Sequence, residues 1–191
     1  MKKILVYCFI IMLSTQFAFA SEENNTDSEI NSLYAANKLD ETYNLILTIP
    51  QETRTAHHFL LMGNIMMDYG NKDAAENLYK TAINVDNKFY KAYYNLGNIY
   101  LEQKDYNKAA ENFKLAIKYN KEFAPAYYNL GCSYIKMGEL KKAKSALLDA
   151  IYYKPTEADY HYNLAYVYKQ LGKGKDAQLY LDYYNKIIND N

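Results

Sequence analysis

The pentapeptide YYNLG occurs at Tyr93–Gly97 and again at Tyr127–Gly131, and an altered copy, HYNLA, begins at His161; successive copies stand 34 residues apart. A fixed period of this length marks a chain built from one supersecondary unit used repeatedly. Rows of 34 counted from Ala56 cover 56–89, 90–123, 124–157 and 158–191. Position 8 of the rows holds Gly63, Gly97, Gly131 and Ala165, and position 7 holds Met62, Leu96, Leu130 and Leu164. Position 11 holds Met66, Tyr100, Tyr134 and Tyr168. Position 20 holds Ala75, Ala109, Ala143 and Ala177, and position 24 holds Tyr79, Phe113, Leu147 and Leu181.

Positions 4, 7, 8 and 11 fall on one face of a helix, and positions 20, 24, 27 and 28 on one face of a second, by the 3.6-residue period. Between them lie YGNKD, QKDYN, MGELK and LGKGK, where Gly or Asp stops one helix before the next begins. Each row is therefore a helix–turn–helix. Small residues at positions 8 and 20 let the two helices approach, and large apolar ones fill the space beside them. One pair cannot bury its apolar faces, but stacked pairs can. The predicted fold is all-α, a solenoid of antiparallel helix pairs.

In its period and in the residues at these positions the chain resembles the tetratricopeptide-repeat family over 56–191. The resemblance implies a right-handed α-solenoid. Two positions depart from the family pattern. The large aromatic at position 4 is His161 in the last row, and the Pro near position 32 appears only as Pro155, with Asn87, Lys121 and Asn189 in the other rows. Upstream, 21–55 reads as a short disordered start over 21–26 and a degenerate helix pair at about 27–36 and 40–49, covering the first regular repeat. At position 28, Ile83, Ile117 and Ile151 give way to Asn185 in the last row, a polar end to the stack.

Residues 1–20 have the layout of a signal peptide: Lys2 and Lys3, an apolar run from Ile4 to Leu13, then Ala18-Phe19-Ala20 before Ser21. Cleavage after Ala20 would leave a periplasmic or secreted protein with no membrane attachment, and an uncleaved inner-membrane anchor is the alternative. Cys8, inside the apolar run, does not resemble a lipoprotein acylation site. Without Lys2 and Lys3 the chain has 20 basic against 22 acidic residues, a net charge of −2, and Arg54 is its one arginine. Nucleic acid and anionic membrane surfaces are therefore poor partners. After cleavage Cys132 is the one cysteine, so no internal disulfide forms and stability must come from packing.

No HExxH, CxxC or GxxxxGK[ST] motif is present. GKGK at Gly172–Lys175 is an inter-helix turn. His57 and His58 are adjacent, so a helix turns them about 100° apart and away from one shared ion. His161 sits at a core-facing position. Cys132, at position 9, reads as a small, half-buried filler, with an intermolecular disulfide as the alternative. No catalytic residue, metal or cofactor is expected.

The candidate site is a groove. In the family this chain resembles, positions 2, 6, 9 and 13 of the first helices, with 5 and 12 at the edges, line a concave surface that holds peptides. Here they give an Asn row, Asn95, Asn129 and Asn163, beside a Tyr row, Tyr94, Tyr128 and Tyr162, with Asn64, Asn98 and Tyr166 at position 9. An Asn amide can pair with an extended peptide backbone, and Tyr offers rigid contact area with a polar tip. The same residues also fit a role in holding adjacent helices together. The family's carboxylate clamp is missing: its positions hold Leu60, Pro125, Asn129, Asp159 and Asn163, with Lys91 the one basic residue. The implied function is an exported, non-enzymatic scaffold holding a peptide or partner protein. The alternative is a structural part of an envelope or secretion assembly that uses its convex face or ends.

Overall fold

The computed structural model describes residues 25–190 and divides at Arg54 into two compact units. The first contains α1, over 25–35, and α2, Leu39–Thr48, followed by a short 3-10 turn at Gln51–Thr53. Asn25 and Thr26, expected in a disordered start, are helical. Their polar side chains lower helix propensity only slightly, so propagation from the turn behind them carries through. Ile30, Thr42 and Ile46 are fully buried, and the Thr42 hydroxyl donates to the Lys38 carbonyl at 2.8 Å. Arg54 closes the unit, its Nε donating to the Ile49 carbonyl at 3.0 Å and its Nη2 to that of Leu47 at 3.2 Å.

The second unit is a stack of four helix pairs. The first helices are α3 (Ala56–Asp68), α5 (Tyr90–Glu102), α7 (Ala124–Lys136) and α9 (Ala158–Gln170). The second helices are α4 (Lys72–Val85), α6 (Tyr106–Tyr119), α8 (Leu140–Tyr153) and α10 (Gly174–Asn189). The helices start at the same positions in every row, as the period requires. Contacts are densest within a pair and next densest between each second helix and the following first helix.

Position 8 against position 24 sets the spacing within a pair. A methyl group placed on Gly97 would lie 2.5 Å from Cε1 of Phe113, and one on Gly131 would lie 2.8 Å from Cγ of Leu147. Gly63 meets Tyr79 in the same way. Phe113 and Leu147 are fully buried, as are Ala75, Ala109 and Ala143 at position 20. Burying a side chain such as Phe113 contributes about 1.5–3 kcal/mol, and only a bare backbone opposite admits it.

The turn between the helices of a pair is also one device repeated. Gly70, Gly138 and Gly172, at position 15, take φ of 76°, 74° and 73°. The residue after each donates back five residues, as Asn71 does to the Met66 carbonyl at 2.8 Å and Glu139 to that of Tyr134 at 2.9 Å. This is the left-handed C-terminal cap that glycine adopts without strain. In the second row the position is Lys104, held at φ 64° with the same bonding, Asp105 N–H to the Tyr100 carbonyl at 2.9 Å. Lys104→Gly is therefore expected to raise stability by about 0.5–1 kcal/mol. A denaturant midpoint that falls instead would show that the lysine side chain holds the turn.

At the opposite end of the first pair, the Thr55 hydroxyl accepts from the His58 backbone N–H at 3.3 Å, and His58 Nδ1 accepts from the Thr55 N–H at 3.1 Å. His58 is thus a buried helix cap. His161 is also buried, its Nε2–H donating to the Pro155 carbonyl at 2.8 Å and its ring lying 5.6 Å from that of Tyr183. Each position-11 tyrosine carries a lysine over its face. Lys108 stands over Tyr100 at 5.4 Å, Lys142 over Tyr134 at 5.5 Å and Lys173 over Tyr168 at 6.0 Å.

Candidate functional site

The Asn row lies along the face formed by α5, α7 and α9, where each first helix meets the preceding one. Asn95 Nδ2 donates to Asn64 Oδ1 of the repeat before it at 2.8 Å, and the Tyr79 hydroxyl donates to that same oxygen at 2.9 Å. One repeat on, Asn129 Nδ2 donates to Asn98 Oδ1 at 2.7 Å and to the Tyr94 hydroxyl at 3.3 Å. At the next junction Asn163 Nδ2 donates to the Tyr128 hydroxyl at 2.9 Å and approaches Cys132 Sγ at 3.5 Å. The pattern is a ladder. The position-6 amide of these three repeats reaches back to position 9 of the one before, and in the last two also to position 5.

The amide nitrogens are therefore engaged inside the protein, and all three Asn side chains are half-buried. What they present outward is the other amide atom: Oδ1 of Asn95, Asn129 and Asn163 has no protein partner among the described residues. Such an oxygen can accept one N–H from a chain laid across it. The sequence expected both donor and acceptor to face a ligand; the neighbouring repeat takes the donor.

The tyrosines divide by depth. Tyr94 packs edge-on against Phe123, centroids 5.0 Å apart, and Tyr128 stacks on Tyr160 at 4.6 Å. Burial is the main cause that pushes the Tyr128 phenol far up and that of Tyr160 up to about 12. Both remain neutral at any physiological pH, so Tyr128 serves the ladder as an acceptor without charge. Tyr162 and Tyr166 differ. They are 52% and 46% exposed, one turn apart on α9, with Tyr184 of α10 5.3 Å from the Tyr162 ring. Cys132 is half-buried between Tyr128 and Asn163, and burial pushes its thiol up, away from reactivity.

The remaining groove positions are mixed in sign, with Lys91 and Asp159 at position 2 and Asp68, Glu102 and Lys136 at position 13. Glu102 is paired with Lys72 at 2.6 Å. Among the described residues no three His, Cys, Asp or Glu side chains gather within reach of one metal ion. Position 28 keeps its partly buried Ile83, Ile117 and Ile151, and Asn185 is exposed. On the face of α10 that carries Asn185, Gln178 Nε2 donates to Asp182 at 2.9 Å.

Residues 31–156 match the family model described as the C-terminal ARM domain of tetratricopeptide repeat protein 21, and residues 128–190 match a tetratricopeptide repeat model. Among solved structures, a crystal structure of MamA superposes with a TM-score of 0.74 at 23% identity, covering 84% of this chain and 95% of that one. A MamA fragment from Desulfovibrio magneticus RS-1 superposes at 0.75 and 18% identity, covering 87% and 94%. At such identities the likeness is one of fold. No curated protein matches the chain.

Proposed function

The chain belongs to the tetratricopeptide-repeat family, a protein-interaction scaffold type, and from that premise we propose that it holds an extended peptide segment of a partner protein in the groove lined by its first helices. The observation that carries this reading is the row of Asn Oδ1 atoms, one per repeat on three consecutive repeats, beside the exposed rings of Tyr162 and Tyr166. An acceptor row of this kind pairs with backbone N–H groups and reads little sequence. The two tyrosines supply the apolar anchor at one end. With no net charge in the row, binding should vary little with salt.

Export through the first twenty residues is part of the same proposal, motivated by Lys2, Lys3 and Ala18-Phe19-Ala20. Those residues lie outside the described ones, and no helix among the described residues is long and apolar enough to cross a membrane. N-terminal sequencing of the native protein should begin at Ser21; a membrane-bound protein beginning at Met1 would mean an anchor.

The groove is tested through its exposed tyrosines, because the asparagines also hold the repeats together. A partner is first identified by crosslinking from a photoreactive residue at position 91, then titrated against wild type and the Tyr162→Ala, Tyr166→Ala double variant. The double variant should melt like wild type and bind about tenfold more weakly or worse. Unchanged affinity would move the binding surface to the convex face or the ends, as an assembly component requires.

A further inference from the structure

Positions 4 and 30 pair two tyrosines in each of the middle repeats, away from the groove positions. Tyr93 stacks on Tyr119 with centroids 5.6 Å and planes 27° apart, and Tyr127 stacks on Tyr153 at 5.4 Å and 25°. A carboxylate acts on each pair. Burial first, then the stacked phenol and the charge of Asp86 or Asp149, raise the Tyr93 and Tyr127 hydroxyls.

The two platforms differ at position 29. In the second repeat this is Lys118, whose Nζ stands 5.3 Å from the centroid of Tyr119, so the ring carries an ammonium. In the third repeat it is Tyr152, 80% exposed and meeting Tyr153 edge-on at 5.1 Å and 83°. The result is two ring walls at a right angle. Asp149 precedes Tyr152 and Tyr153 by three and four residues on α8, one helical turn, and so shares their face. It is exposed at the surface, and the partial burial of its carboxyl raises its pKa. Among the described residues no cation stands over Tyr127, Tyr152 or Tyr153, and Asp149 has no ion-pair or hydrogen-bond partner. The nearby Lys154 is turned to Glu157 at 2.7 Å.

We propose that Tyr127, Tyr152, Tyr153 and Asp149 form a subsite for an organic cation, the ammonium or guanidinium of a basic side chain on a partner protein. Orthogonal aromatic faces attract a cation through their quadrupoles, most strongly where part of its hydration is lost. The adjacent carboxylate supplies the counter-charge. The second repeat shows the preferred occupant, since there the equivalent ring takes a lysine from its own helix. The subsite is separate from the groove, so it stands or fails independently of that reading.

The test follows the ring resonances of Tyr127, Tyr152 and Tyr153 by NMR in the full chain while three short blocked peptides are titrated to millimolar concentration. One carries a central lysine, one an arginine and one norleucine, the neutral counterpart of lysine; free choline is a fourth probe. The lysine and arginine peptides should shift these resonances, with about fivefold weaker binding for Tyr152→Leu and about threefold for Asp149→Asn. Norleucine should leave them unmoved. Tyr152→Lys, which supplies an internal ammonium as Lys118 does, should shift Tyr153 on its own and abolish peptide binding. Norleucine binding as well as lysine, no shift with either basic peptide, or response to choline alone would each overturn the proposal. The last outcome would assign the subsite to a quaternary-ammonium ligand instead.

Discussion

Gly97→Leu should lower the stability of the repeat array by about 1–3 kcal/mol or more. The side chain has nowhere to go, since its first carbon would lie 2.5, 2.7 and 2.9 Å from three atoms of the Phe113 ring. Phe113 is fully buried and cannot swing aside. Even Gly97→Ala should be costly alone. The fourth row, however, carries Ala165 and Leu181 at the same two positions. Adding Phe113→Leu to Gly97→Ala should therefore recover part of the loss, a coupling that separate effects would not produce. Thermal or denaturant melting of the four proteins decides it. If Gly97→Leu melts with wild type, positions 8 and 24 do not touch as described.

The second large effect is expected from removing the ladder. Each of Asn95, Asn129 and Asn163 makes a hydrogen bond to the preceding repeat, at 2.8, 2.7 and 2.9 Å. A net 0.5–1.5 kcal/mol apiece predicts a loss of about 1.5–4.5 kcal/mol for the triple Asn→Ala variant, if the junctions act independently. Leaving Asn98 with an unanswered half-buried oxygen pushes the figure upward. The loss should persist at high salt, because no ionised group takes part. A triple variant as stable as wild type would show that water replaces these bonds without cost, and the asparagines would then be free to serve a ligand alone.

The helix boundaries were legible because the constraint that sets them is local and repeated. A glycine opposite a large side chain, and a left-handed cap fifteen positions into each row, recur at one spacing. Lys104 hid its cap, since nothing in a lysine announces a positive φ; only its alignment with Gly70, Gly138 and Gly172 does. The candidate site was legible in membership but not in use. The sequence places Asn at position 6 and Tyr at position 5 on one side of a helix. It does not show that position 6 of one row lands on positions 5 and 9 of the row before, because that depends on how far one repeat is rotated against the next. The offsets of 31 and 35 residues, from Asn129 to Asn98 and to Tyr94, are the trace this leaves. The stacked pairs of tyrosines at positions 4 and 30 were missed for the same reason, although both positions are aromatic in the second and third rows.

The ladder also gives the array a direction. Its first junction is a doubly engaged amide oxygen, its second an amide oxygen and a phenol, and its third a phenol with a thiol at 3.5 Å. The α10 helix beyond has Ala177 as its one buried residue. In a chain of nearest-neighbour couplings, thermal opening enters where the coupling is weakest. The array should therefore unzip from its C-terminal pair, with backbone amides of α9 and α10 exchanging with solvent before those of α5 and α6; simultaneous exchange would mean that the repeats melt as one block. Tyr162 and Tyr166 stand on the pair that opens first, so a partner gripping them would clamp the zipper at its loose end and register as raised protection along α9 and α10.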